Sequence, residues 1–236
     1  MHILQQPAYV LHARPYRETS LLLECLTREH GRLGVVARGV RAERAKLRRA
    51  QLEPFQPLAM DLLLRGELAA LVAVEPLDAA ARLAGDAGLA GLYLNELVVR
   101  LTARQDAQPP LFDAYAQTLA RLGAGEPLGW TLRRFERDLL AAIGYALPLR
   151  HVAGTDEPLL PQAYYRYDIE LGPVPCRMDA AHAVRGADLL ALAADQAPGA
   201  EGQVALRRLM REVIRFHLGG GELRAWRMLA GLRRRG

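Results

Sequence analysis

The chain has 236 residues, 51% of them apolar, and its 31 basic and 26 acidic side chains leave a formal net charge of +5. That is enough apolar material for a core in one large domain or in two or three small ones, so the composition excludes a disordered chain. No run approaches the roughly 18 apolar residues that a bilayer crossing needs, and Met1-His2-Ile3 leads into strand-like sequence without a signal peptide's charged and apolar regions, so a cytoplasmic protein is expected.

In chain order, residues 8–11, 20–26, 32–37, 58–64 and 68–74 form five short segments rich in Val, Leu and Ile. Breakers such as Pro15, Gly31, Gly39, Pro54, Pro57 and Gly66 separate them, and Arg65-Gly66-Glu67 has the composition of a hairpin turn. Five strands in this length predict an OB-type barrel over residues 1–78, whose largest insertion falls between the third and fourth strands. A five-stranded sandwich or open sheet fits the same pattern.

The insertion is where positive charge gathers. Arg38, Arg41, Arg44, Lys46, Arg48 and Arg49 stand against one acid, Glu43. A cluster this dense repels itself and is tolerated where water solvates it or a polyanion neutralises it, and nucleic acid is the polyanion it suits best. The division continues along the chain. Residues 1–50 hold ten basic and four acidic groups and residues 207–236 hold nine and two, whereas residues 51–126 hold five and ten and residues 151–206 hold three and eight.

After Pro76 the hydrophobic period becomes helical. Residues 79–104, with Leu89, Tyr93 and Leu97 at four-residue spacing, read as one or two helices. Pro109-Pro110 open a second helical run over 111–122, and a third follows Pro127 over 128–143, with Leu132, Phe135, Leu139 and Ile143 as its apolar stripe. Residues 144–176 carry five prolines and read as irregular chain around one hairpin near Tyr165 to Cys176. Helical signal returns over 180–194, is strong over 204–218, and resumes after Gly219-Gly220-Gly221 as a basic helix over 222–232. The architecture expected is therefore α+β and multi-domain, with a barrel over 1–78 and a mostly α-helical domain over 79–236 interrupted at about 144–178.

Several chemistries lack their residues. Ser20 is the only serine and has no nucleophile elbow around it, no phosphate-binding Gly-Lys loop surrounds Lys46, and no H-E-x-x-H occurs among the six scattered histidines. Gly219 to Gly221 follow a helix, as a helix end does, and not a strand as a dinucleotide fingerprint would. Cys25 and Cys176 are far apart and belong to no C-x-x-C pair, so both read as thiols. Neither an enzyme, a cofactor nor a metal is expected.

Three stretches carry a resemblance. Residues 9–23, YVLHARPYRETSLLL, with Thr27-Arg-Glu-His-Gly-Arg-Leu and Val35-Val-Ala-Arg-Gly-Val-Arg, resemble the N-terminus of the bacterial RecO family of recombination mediators. Leu92-Tyr-Leu-Asn-Glu-Leu and Arg133-Arg-Phe-Glu-Arg-Asp-Leu-Leu with Ile143-Gly-Tyr are similar to its central region, and His217-Leu-Gly-Gly-Gly-Glu-Leu-Arg-Ala to its closing segment. The resemblance implies a non-catalytic, cytoplasmic and nucleoid-associated DNA repair protein with an OB domain. Such a protein binds single- and double-stranded DNA, anneals strands, and acts with RecR and the single-strand DNA-binding protein to load RecA. Many relatives carry two C-x-x-C pairs and a zinc after the Gly-Tyr that ends the third helix. Here Gly144-Tyr145 is followed by Ala-Leu-Pro-Leu-Arg-His, so no zinc is expected and packing must hold the hairpin.

The DNA-binding residues expected are Arg14, Arg17, Arg38, Arg41, Arg44, Lys46, Arg48 and Arg49, with Tyr16 as a stacking platform between two arginines. An RNA- or ribosome-associated OB protein would show the same charges. A second site is expected on the third helix, where Arg133 and Arg137 stand four apart beside Leu132, Phe135 and Leu139. With Arg121 they would take the acidic, apolar-ended C-terminal tail that the resemblance implies as a partner. The other reading makes these arginines surface groups paired with Glu136 or Asp138.

Overall fold

In the computed structural model of the protein, residues 1–41, 49–226 and 228 are described. Five strands, β1 (His2–Tyr16), β2 (Ser20–Thr27), β3 (Gly31–Ala37), β4 (Leu58–Arg65) and β5 (Leu68–Pro76), close into a barrel in the order β1-β2-β3-β5-β4. All neighbours are antiparallel except β3 and β5, which run parallel from Gly34↔Leu68 to Val36↔Ala70. This is the OB-fold expected from the strand pattern.

Closure depends on β1, which is 15 residues long where the apolar pattern marks only 8–11. Its first half pairs with β4 from His2↔Leu63 to Ala8↔Leu58, and its second half pairs with β2 from Ala8↔Thr27 to Tyr16↔Ser20. A strand that changes partners must bend, and register shifts at Ile3/Gln6 and Val10/His12 supply the bend. At the first, Gln5 takes a φ of 49° and its N–H donates to the Asp61 carboxylate at 2.8 Å. Val10, Leu23, Leu33, Val35, Met60 and Leu62 fill the interior. Truncating one of them to alanine costs about 2–5 kcal/mol. Cys25 lies in the same core, where burial, helped by the neighbouring Glu24 charge, pushes its thiol far above the ordinary range and leaves it inert.

Two helices, α1 (Gly85–Leu101) and α2 (Pro109–Gly123), belong to the same compact unit as the barrel. The Asn95 side chain, buried on α1, donates to the Leu11 carbonyl at 2.8 Å and accepts from the Tyr115 hydroxyl at 2.6 Å. Tyr9 packs edge-on to Tyr115 with ring centroids 5.1 Å apart. These contacts bind both helices to β1. Glu96, next to Asn95, accepts the backbone N–H groups of Arg224 and Ala225 at 2.8 Å each, capping the turn that begins there. Two of the stretches that carry the family resemblance, Leu92-Tyr-Leu-Asn-Glu-Leu and the Gly-Gly-Gly-Glu-Leu-Arg-Ala segment, thus meet through a helix cap. The expected basic helix over 222–232 begins at Arg224, and residue 227 and those from 229 onward lie outside the described residues.

The chain divides into two compact units. One holds Met1–Glu126 with the described residues from Leu223 on, and the other holds Pro127–Glu222. The first unit therefore continues past the barrel's end, the point at which the strand pattern alone divides the chain.

In the second unit, α3 (Leu128–Ala142) precedes strands β6 (Tyr164–Asp168), β7 (Gly172–Cys176) and β8 (Ala183–Arg185), which form a sheet in the order β7-β6-β8, then α4 (Gly186–Ala193) and α5 (Ala200–His217). The expected hairpin is β6–β7. The strand β8 occupies part of the run 180–194 read as helical, because Val184 pairs with Tyr165 and its side chain enters the core. Tyr165, Tyr167, Leu149, Leu159, Leu189, Met210 and Val213 pack together there, and the Leu160 N–H donates to the Tyr165 hydroxyl at 2.9 Å. Gly186 joins β8 to α4 where a Cβ would stand 2.2 Å from the Leu160 carbonyl oxygen, so no larger residue fits. Cys176 is the one thiol of this hairpin, and among the described residues no three His, Cys, Asp or Glu gather as metal ligands. The residues present do not fit the zinc of cysteine-bearing relatives. No described helix is long and apolar enough to cross a membrane.

Candidate nucleic-acid interface

The basic residues of the first unit fall into two groups that the sequence does not separate. Arg28 donates to both carboxylate oxygens of Asp113 at 3.0 Å, Arg32 pairs with Glu24 and donates to the Thr102 carbonyl at 2.8 Å, and Arg104 donates to Glu24 at 2.6 Å. Arg28 ties the β2–β3 turn to α2, while Arg32 and Arg104 hold residues 102–106 across β2 and β3. The segment approaches so closely that a Cβ on Gly31, at a φ of 63°, would lie 2.0 Å from the Asp106 carbonyl oxygen. That end of the barrel wall is closed and carries the acid Glu24.

The opposite end is different. Arg14 and Tyr16 come from the last residues of β1, Arg17 from the turn into β2, and Arg38 and Arg41 from the chain leaving β3. Pairing of Tyr16 with Ser20 and of Leu21 with Ala37 sets the two segments side by side, and the Arg41 N–H donates to the Thr19 carbonyl at 2.9 Å. All four arginines are exposed, and none forms an ion pair among the described residues. Arg17 takes a φ of 53°, which lays its guanidinium over the half-buried Tyr16 ring at 5.3 Å from the centroid. Arg49, in a single 3-10 turn over Arg49–Leu52, is exposed and loosely paired with Glu53 at 3.9 Å. Arg44, Lys46 and Arg48 lie outside the described residues. Arg65, which the sequence marks only as part of a hairpin turn, is exposed as the last residue of β4, but it pairs with Leu68, which pairs with Gly34 of β3, so it stands apart from the Tyr16–Ser20 end.

Helix α3 arranges its arginines otherwise. Arg133 is buried and its guanidinium pairs with the fully buried Glu136. Arg134 pairs with Asp195. Arg137 donates to Asp138 at 2.8 Å, to the Leu192 carbonyl at 2.7 Å and to Asp195 at 3.2 Å. Burial opposes ionisation of Asp195, yet the two guanidiniums outweigh it and hold its carboxyl below the usual range. Arg133 therefore does not project beside Arg137 as a fork, and Arg121 belongs to the other compact unit. Arg137 does border a groove of about 380 Å³, lined also by Ala141, Leu147, Pro148, Arg150 and His151.

Comparison with known proteins covers the chain from end to end. A family model described as Recombination protein O N terminal matches residues 1–80, and one described as Recombination protein O C terminal matches residues 82–227. The DNA repair protein RecO of Xanthomonas oryzae pv. oryzae (strain PXO99A) is 46% identical over 240 residues, covering 100% of both chains. That of Stenotrophomonas maltophilia (strain R551-3) is 48% identical over 236 residues, covering 98% of each.

Proposed function

We propose, for a chain that belongs to the RecO family of DNA repair proteins, a non-catalytic mediator of recombinational repair that grips the phosphate backbone at the open end of its barrel. What supports this reading is that the strand register brings the segments bearing Arg14, Arg17, Arg38 and Arg41 to the same end of β1, β2 and β3, where all four are exposed and have no acidic partner among the described residues. Guanidiniums with no acidic partner among the described residues are available to phosphate, and releasing the counterions condensed on DNA drives the association. Tyr16, with Arg17 above it, would stack on an unpaired base.

Binding of this kind is indifferent to sequence and suits both single and double strands. On this reading the protein anneals complementary strands and, with RecR, helps load RecA onto DNA coated by single-strand DNA-binding protein, working in the cytoplasm at the nucleoid. The acidic tail of that coating protein would dock in the groove beside α3, its terminal carboxylate meeting Arg150 and its apolar end meeting Leu147 and Pro148. Arg150→Glu is then expected to weaken a labelled tail peptide in a fluorescence titration while sparing naked DNA.

DNA binding by the purified protein over a salt series tests the main reading. Log affinity should fall linearly with log salt, at about 0.9 per phosphate contact on duplex and about 0.7 on single strand. Competition between single-stranded DNA and RNA of equal length separates a DNA mediator from an RNA-associated OB protein. Preference for the RNA would overturn the assignment.

A further inference from the structure

The three-stranded sheet of the second unit has two faces, and alternation along its strands sorts the side chains between them. Tyr165, Tyr167 and Val184 point into the core. Tyr164 and Arg166, the alternate residues of the central strand β6, therefore lie on the other face. The register supplies their neighbours: Tyr164 stands between Cys176 of β7 and Arg185 of β8, and Arg166 stands between Val174 and Ala183. Directly paired Cβ atoms are about 5 Å apart and residues two apart on a strand about 7 Å, so the ring and both guanidiniums belong to one small patch.

Residues 151–206 hold three basic and eight acidic groups, yet two of the three arginines meet on this face. Arg166 and Arg185 are exposed, and neither forms an ion pair or a side-chain hydrogen bond among the described residues. The acids around them are engaged elsewhere. Asp168, on the same face at the hairpin turn, accepts the N–H groups of Glu170 and Leu171 at 3.0 Å each, and Asp179 pairs with Arg177 at 3.2 Å. Burial raises the Asp188 carboxyl above the usual range against the pull of the Arg185 charge. Tyr164 is half-buried, and its hydroxyl makes no hydrogen bond among the described residues.

The edges of the sheet are closed to a further peptide strand. Pro173 and Pro175 deprive β7 of two N–H donors, and the Pro173 carbonyl already accepts the Ala153 N–H at 2.8 Å. On β8 the Ala183 carbonyl is taken by Arg208 at 3.0 Å, which also brings a third guanidinium to the strand that borders Arg166. What the sheet offers a partner is its face.

We propose that this face binds single-stranded nucleic acid, with one unpaired base lying on Tyr164 and the adjoining phosphates meeting Arg166 and Arg185. Ring and charge select the occupant together: an acidic peptide would satisfy the arginines but bring no flat partner for the ring, and a duplex keeps its bases stacked inside. The inference rests on the reading of the chain as a DNA-binding protein but uses none of the barrel residues, so one chain would hold two segments of strand.

The test uses full-length protein and a labelled oligothymidine in a fluorescence titration. In the variant R14A/R17A/R38A/R41A, single-strand affinity should remain measurable. It should fall about tenfold or more when Tyr164→Ala, Arg166→Ala and Arg185→Ala are added, with a log–log salt slope shallower by about 0.7 for each face arginine removed. Tyr164→Phe keeps the ring and should keep the affinity, and Arg177→Ala, which removes an arginine already paired with Asp179, should change nothing. Should Tyr164→Ala lower the melting temperature, Arg166→Glu with Arg185→Glu, both at exposed positions, decides in its place. No residual binding once the barrel arginines are gone, or residual binding that survives loss of the face residues, would overturn the inference and leave the barrel reading standing. Binding lost with the face residues but indifferent to the barrel substitutions would sustain the inference and overturn the barrel reading. An oligoglutamate peptide bound as tightly as the oligothymidine, and released by the loss of Arg166 and Arg185, would assign the face to an acidic protein segment instead.

Discussion

The open end of the barrel and helix α3 are both runs of arginine, and the fold treats them in opposite ways. At the barrel, Arg14, Arg17, Arg38 and Arg41 reach solvent with no acidic partner among the described residues. On α3, Arg133 is sealed against Glu136, while Arg134 and Arg137 converge on Asp195, about sixty residues further along the chain. Charge density in the sequence is similar in the two places. Only the position of the acids separates a surface that can bind a polyanion from one that holds the protein together, and an acid so distant in the chain enters the pattern only through folding.

The comparison can be broken most forcefully at Arg133. If its role is to neutralise Glu136, Arg133→Met removes the buried guanidinium that pairs with a buried carboxylate and should cost about 3–5 kcal/mol, read as a lower denaturation midpoint, with DNA affinity unchanged in the folded fraction. Adding Glu136→Leu should restore much of that loss. A stable Arg133→Met protein with weakened DNA binding would move α3 into the DNA-binding class.

A smaller effect sharpens the barrel side. Tyr16→Ala removes the ring under Arg17 and should weaken single-strand binding by about 1–3 kcal/mol in a titration while sparing duplex. Equal losses on both would make Tyr16 a support for Arg17 and not a platform for a base.

The smallest effect concerns acid. Because Arg134 and Arg137 hold the folded-state pKa of Asp195 below its unfolded value, the unfolded chain binds more protons between the two. The stabilisation is complete above the unfolded carboxylate value near ~3.9 and is lost as pH falls through the lower folded one. Asp195→Asn should flatten the acid limb of the stability profile and lower stability at neutral pH by less than about 1 kcal/mol, since the Asp195 carboxylate itself is 41% exposed. An unchanged acid limb would mean that the two guanidiniums do not hold Asp195.

The same contrast shows what could be read before the fold was known. The barrel was legible because Gly31, Pro57 and Gly66 punctuate strands whose apolar residues are dense. The full length of β1 was not, since Gln5-Gln6-Pro7 and Arg14-Pro15 look like breaks when they are the bulged and terminal parts of a strand that pairs with two partners. Likewise β8 was hidden in helix-forming composition, because Val184 gains its place by pairing with Tyr165 and not from local propensity. Of the site, Arg14, Arg17, Arg38 and Arg41 were legible as charge. Their separation from the closed, acidic end at Glu24 was not, because it depends on residues 102–106 folding back over β2 and β3.

The most direct measurement is the salt dependence of duplex binding for two variants side by side, R14A/R17A/R38A/R41A and R134A/R137A. If the open end of the barrel holds the backbone, the first keeps its melting temperature, loses about a hundredfold in affinity at low salt and has a log–log slope shallower by up to about 3.6, while the second keeps the parent slope. The parent slope in the folded barrel variant, or a flattened slope in the α3 variant alone, would contradict the account.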